Sequence, residues 1–159
     1  MNSNDKLGIK GNLSIVLTDA QGNVKDTREV PNKVTSDGLN HILARLGTSG
    51  GGATYMNYMA IGTTADATPE DGTSSILKTE ASGLTRVATT ITYNTTLKQI
   101  IYVADFPTSN PSADAAVREA GIFSASTAGT LLCRTVFAVV NKLTTDSLRI
   151  TWKITLTAP

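Results

Sequence analysis

The sequence predicts a mainly β protein, an antiparallel β-sandwich or jelly-roll-like domain of about eight strands with one short amphipathic helix. Three observations carry that expectation. Leu148, Ile150, Trp152, Ile154 and Leu156 alternate strictly with Arg149, Thr151, Lys153 and Thr155, and a period of two is what a half-buried antiparallel strand requires. This strand closes a block, Val117 to Leu156, that reads as three consecutive strands joined by two short turns, and such close spacing indicates a sandwich or barrel. Threonine is used 25 times in 159 residues, which suits solvent-facing strand positions better than helices.

The elements follow in order. Residues 1–11 are polar and read as an N-terminal arm, ahead of a single domain over residues 12–159. Asn12 to Asp19 alternates with Leu13, Ile15 and Leu17 on one face. Asp19-Ala20-Gln21-Gly22-Asn23 has turn chemistry, since Gly22 and Asn23 tolerate positive φ. Val24 to Val30 returns as a second strand that Pro31 ends. A helix follows, capped by Ser36 or Asp37, with an apolar stripe of Leu39, Ile42, Leu43 and Leu46 and a stop at Gly47. It is too short to stand alone and must lie on a sheet or plug the end of one.

Residues 48–54 form a Gly-rich linker, and Tyr55 to Ile61 reads as a strand that is apolar on both faces. Gly62 to Lys78 lacks periodicity, and its length marks it as a partner-contacting loop. Leu84 to Tyr93 and Leu97 to Phe106 make a hairpin around Asn94-Thr95-Thr96, and the Pro/Ser-rich stretch to Asp114 leads into the closing block.

Composition excludes several function classes. Basic and acidic residues number 14 and 13, with no Lys/Arg run, so the footprint of a nucleic-acid or membrane binder is missing. No apolar run reaches the ~18 residues of a transmembrane helix, and the N-terminal segment has no signal-peptide h-region. The expectation is a soluble protein made in a reducing cytoplasm. Cys133 is the sole cysteine, which rules out an intrachain disulfide and multi-thiolate zinc sites; in TLLCRTVF it reads as a small buried apolar side chain.

Catalytic chemistry has few candidates. His41 is the sole histidine, so any Ser-His-Asp or Cys-His arrangement would have to use it, and it reads as a solvated or partly packed residue. Asp66, Glu70 and Asp71 share one Thr/Gly-rich loop rather than the rigid, aromatic-lined cleft of a glycosidase, and a weak oxygen-ligated Ca²⁺ site there is the minor reading. Gly50-Gly51-Gly52 lacks the Lys-Ser/Thr of a phosphate loop. No catalytic residue, metal site or cofactor is assigned. Arg118 and Glu119, charged within an apolar strand, read as a structural ion pair. The candidate interface comprises Tyr55, Met56, Tyr58, Asp66, Glu70, Asp71, Ile76 and Leu77, because Tyr and Met are enriched at contacts and the acids sit on the long loop; Met59 and Ile61 are read as core.

Three passages carry a family resemblance. A strand, a D-x-x-G turn and a second strand lead into NKVTSDGL at the helix start; MAIGTTADATPEDG opens the long loop; VREAGIF, a strand with an internal Arg, a Lys-Thr link and a strand ending in WKI close the chain. Their order over residues 11–156 resembles small structural proteins of tailed-bacteriophage virions, above all head decoration (cement) proteins, with related patterns in tail-fibre and tail-tip proteins. The resemblance implies a non-enzymatic protein on the outer surface of the phage head, bridging major capsid proteins as a homo-oligomer (dimer or trimer), without nucleic acid or membrane. The alternative is a tail component (fibre, collar or tail-tip module) that attaches to the host. Compact length without a fibrous shaft favours the head, and strand edges open to sheet extension are part of the expectation.

Overall fold

The computed structural model describes residues 8–47 and 54–157. Nine strands and one helix run in the order β1 (Gly8–Thr18), β2 (Val24–Val34), α1 (Ser36–Gly47), β3 (Tyr58–Gly62), β4 (Val87–Ala88), β5 (Thr90–Asn94), β6 (Gln99–Phe106), β7 (Ala115–Phe123), β8 (Leu131–Lys142) and β9 (Ser147–Thr157). All pair antiparallel in one sheet of order β4-β3-β7-β8-β2-β1-β9-β6-β5, nearly closed into a barrel. The mainly β, antiparallel expectation holds, whereas a sandwich or jelly roll is not what the pairing establishes.

The sheet turns at two places. β2 pairs with β1 from Asn32 back to Val24, then with β8 at Lys33 and Val34. β4 and β5, the two ends of the sheet order, are separated by Thr89 alone, one pairing with β3 and the other with β6. The ninth strand arises here, because the expected single strand from Leu84 to Tyr93 changes partner midway. Strands that switch partners through bends are how sheets turn corners.

The strict alternation of β9 sets the interior. Trp152 lies between Leu13 and Tyr102, Ile150 between Ile15 and Ala104, and Leu148 between Leu17 and Phe106. All nine are buried. Fully burying one large apolar side chain contributes about 1.5–3 kcal/mol. A one-residue slip would turn every layer outward, so this register is strongly specified.

Several expectations shift in detail. Gly8 to Gly11, expected in the polar arm, extend β1 along β9 from Gly8↔Thr157; residues 1–7 lie outside the described set, as does the linker over 48–53. β2 runs through Pro31 to Val34, because Pro31 precedes the pairing with β8 and needs no donor on that side. The strand expected from Tyr55 begins only at Tyr58. The Asp19 turn is as expected, with Oδ1 accepting from the backbone N–H of Gln21 (2.9 Å) and Asn23 (2.8 Å) and Gly22 at φ 88°.

The helix departs most. Its cap is Thr35, not Ser36 or Asp37: Thr35 Oγ1 accepts from the Gly38 N–H (3.0 Å) and donates to the Leu131 carbonyl (2.8 Å). Gly38 and His41 face the barrel. A Cβ at Gly38 would lie 2.1 Å from the Leu132 carbonyl oxygen, so the helix rides on β8 at a distance only glycine allows. That close approach rotates the leucines away from the core. Leu39, Leu43 and Leu46 are 43%, 65% and 79% exposed, and only Ile42 of the expected stripe packs against the core.

Candidate interaction surface

A bulge decides where the long loop goes. Register slips in β7 between Val117 and Glu119. Val117, Ala120 and Ile122 belong to the main core, but Glu119, Gly121 and Phe123 fall on the opposite, outer face. Leu131 and Arg134 of β8 face the same way, paired with Phe123 and Gly121. Residues 63–86 cover this patch. Leu77 joins Ala60, Phe123 and Leu131 in a second small core, packed so closely over Gly121 that a Cβ there would sit 2.8 Å from a Leu131 methyl and 3.0 Å from a Leu77 methyl, and both leucines would have to shift.

At its centre lies a buried ionic triad. Arg134 Nε donates to Glu119 Oε2 (2.7 Å), and Nη1 donates to Glu70 Oε2 (3.0 Å). Glu119 also accepts from the backbone N–H groups of Lys78 (3.1 Å) and Thr79 (2.8 Å), and Glu70 from those of Gly72 (2.8 Å) and Ser74 (3.3 Å). Burial pushes the Glu70 carboxyl upward, but hydrogen bonds from Ser74, Arg134 and Gly72 outweigh it and hold the group below its ordinary value. Burial likewise opposes the Arg134 charge, and Glu119 and Glu70 more than restore it. The Gly72 carbonyl then accepts from the Ser36 N–H (2.7 Å), tying loop to helix. At the far end Arg86 stacks over Phe123 at 3.7 Å, pairs with Glu80 and donates to the Ala128 carbonyl (2.6 Å).

The predicted site residues therefore separate. Glu70 is a buried anchor, not a loop acid offered to a partner, and Met56 and Leu77 are core. Tyr58 is half-buried at the start of β3. Tyr55, Asp66, Asp71 and Ile76 are exposed and remain available for contact. The Arg118–Glu119 pair is corrected: the bulge at Arg118 turns Glu119 to the outer face, where it pairs with Arg134, and Arg118 lies beside Asp66 and Val136 at a surface pocket. Met59 and Ile61 are core as expected.

A second buried charge group holds the β8–β9 turn. Lys142 Nζ donates to the carbonyls of Asp146 (2.8 Å) and Pro107 (3.1 Å), and Asp146 pairs with Lys25 at 2.7 Å. Desolvation lowers the Lys142 pKa, while the Asp146 carboxyl, opposed by burial, is held low by Lys25 and the Leu143 N–H.

Beside α1 the surface is apolar. A cavity of about 250 Å³ opens between the helix and the strand ends, walled by Ile42, Leu46, Tyr55, Tyr93, Tyr102 and Leu156. Of the three exposed helix leucines only Leu46 lines it. The loop face with Ile76 lies across α1, at a shallower pocket with Asp37, Asn40 and Ala44. His41 is buried between the two, and Cys133 is buried in the core, where desolvation raises its thiol pKa well above the ordinary value. Among the described residues no three His, Cys, Asp or Glu side chains form a metal-binding group, and no helix is long and apolar enough to cross a membrane.

Sequence reasoning missed the triad because Glu70 and Arg134 are 64 residues apart. The available signal was an arginine inside the apolar run TLLCRTVF, which needs a buried counter-charge. The fold and surface define a nearly closed antiparallel barrel with a pinned outer loop and an exposed apolar helix face. No protein-family model, curated protein sequence or solved structure matches this chain.

Proposed function

We propose that this chain is a non-enzymatic structural protein of a bacteriophage virion, a capsid decoration or cement protein that binds the outer surface of the head and bridges major capsid proteins as a homo-oligomer. The observation that carries the reading is the buried Glu70–Arg134–Glu119 triad, which fixes the loop containing the phage-like IGTTADATPEDG element to the barrel. Residues on a pinned loop lose little conformational freedom on binding, so Asp66, Asp71 and Ile76 are presented preorganised. Repeated over a symmetric shell, many modest contacts of this kind accumulate into avidity. The order of the three motifs along residues 11–156 supports the same reading.

The test is sedimentation of expanded empty phage heads with the purified protein. Co-migration at many copies per head, weakened by Ile76→Glu together with Asp71→Lys, is the expected result. Absence of head binding together with few copies per virion overturns it and promotes the tail component.

A further inference from the structure

We infer that the cavity beside α1 is a binding site for an uncharged aromatic alcohol, a flat molecule of two fused rings carrying one hydroxyl. The inference goes beyond the virion reading and does not depend on it. The cavity opens between the helix and the strand ends, and barrel mouths are a common place for small ligands. Its wall combines the aliphatic side chains of Ile42, Ile100 and Ile154 with the rings of Tyr55, Tyr93 and Tyr102.

Size, shape and charge narrow the guest. A dry cavity of about 150 Å³ holds one benzene ring, so about 250 Å³ admits a second fused ring. Tyrosine rings favour a flat aromatic guest through offset and edge-to-face contacts. Arg45 is the one permanently charged side chain of the wall, and it already has an interaction of its own. A charged guest among apolar walls would therefore lose its hydration without compensation. Burial also raises the Tyr102 pKa above its ordinary value, so that hydroxyl carries no charge near neutral pH.

The hydroxyl of the guest is chosen by His41. This side chain lines the cavity at 9% exposure, and its Nε2 is buried without a hydrogen-bond partner. Buried polar groups are paired as a rule, so an orphan nitrogen in a cavity wall marks a place for a ligand atom. An imidazole nitrogen donates or accepts according to its tautomer, and a hydroxyl answers either.

The test uses the full chain and two probes of one shape, 2-naphthol and naphthalene, followed by ¹H–¹⁵N chemical shifts. 2-Naphthol is expected to saturate on the order of 10 µM, and naphthalene about tenfold more weakly. That order is diagnostic, because a wall without a polar group would favour the more apolar naphthalene. The shifts should centre on His41, Tyr93 and Tyr102. His41→Phe keeps a ring and removes the nitrogen, and is expected to bring the two affinities together. Ile100→Trp fills the cavity from a half-buried wall position and is expected to abolish both, with melting temperatures showing that each variant folds. No saturable binding of 2-naphthol, naphthalene binding as tightly or more so, a preference that survives His41→Phe, binding that survives Ile100→Trp, or shifts centred away from the cavity each overturns the inference. The wild-type affinities and shifts decide it alone if either variant fails to fold.

Discussion

Arg134 on β8 and Glu119 on β7 are diagonal neighbours on the outer face of the barrel, joined at 2.7 Å, with Glu70 completing the group from a loop 64 residues away in sequence. One guanidinium faces two carboxylates, and backbone N–H groups from Gly72, Ser74, Lys78 and Thr79 offset the surplus negative charge. The loop thus provides both an acid of the triad and the donors that make it tolerable.

Removing the arginine alone leaves two buried carboxylates without their cation. Arg134→Met is expected to cost about 3–5 kcal/mol in urea unfolding. The triple change Glu70→Gln, Glu119→Gln, Arg134→Met is expected to cost less than the single one, because no charge is then stranded. A milder single variant would mean that the triad does not anchor the loop.

Acid should act through the triad and through Asp146 at the β8–β9 turn. Glu70 has its folded pKa lowered from 4.5, and Asp146 from 3.8. A carboxylate with a depressed folded pKa contributes stability that is complete above its unfolded value and is lost as pH falls through the folded one. The urea midpoint should therefore be flat from pH 7 to about 5 and fall below pH ~4.5, with Glu70→Gln lowering the plateau and flattening part of the fall. An unchanged slope in that variant would remove Glu70 from the account.

Helix seating is tested by two glycines. Gly38→Ala drives a Cβ into the Leu132 carbonyl and should cost about 1–3 kcal/mol. Gly47→Ala meets nothing within 4 Å and should be neutral or stabilising by up to about 1 kcal/mol. Thermal unfolding of the two proteins distinguishes the positions.

Cys133 should be silent. Burial raises its thiol pKa well above 9.0, so the native protein is expected to show no reaction with a disulfide reagent at pH 8, and one thiol per chain after denaturation. Fast native labelling would place the thiol outside the core.

The alternation of Leu148 to Leu156 made β9 legible, since a buried face and a wet face impose their period directly on the residues. The Asp19 turn was legible for a similar reason, because its hydrogen bonds are local. Glu70 and Leu77 were misplaced because their burial depends on a bulge at Arg118 and on a distant strand, and Met56 because it packs in the main core. The helix misled for the opposite reason. Its apolar stripe was real, yet the close approach at Gly38 outweighed periodicity in choosing which face goes down. That inversion left three leucines of an expected core stripe exposed.

Thr89 carries a last consequence. Because β4 and β5 adjoin through this single residue, and its N–H bonds the Asn57 carbonyl at 2.7 Å, neither end of the sheet can peel away without pulling on the other. Amide protons of β3 and β6, distant in sequence, should then exchange with solvent at one common rate, as parts of a single cooperative unit.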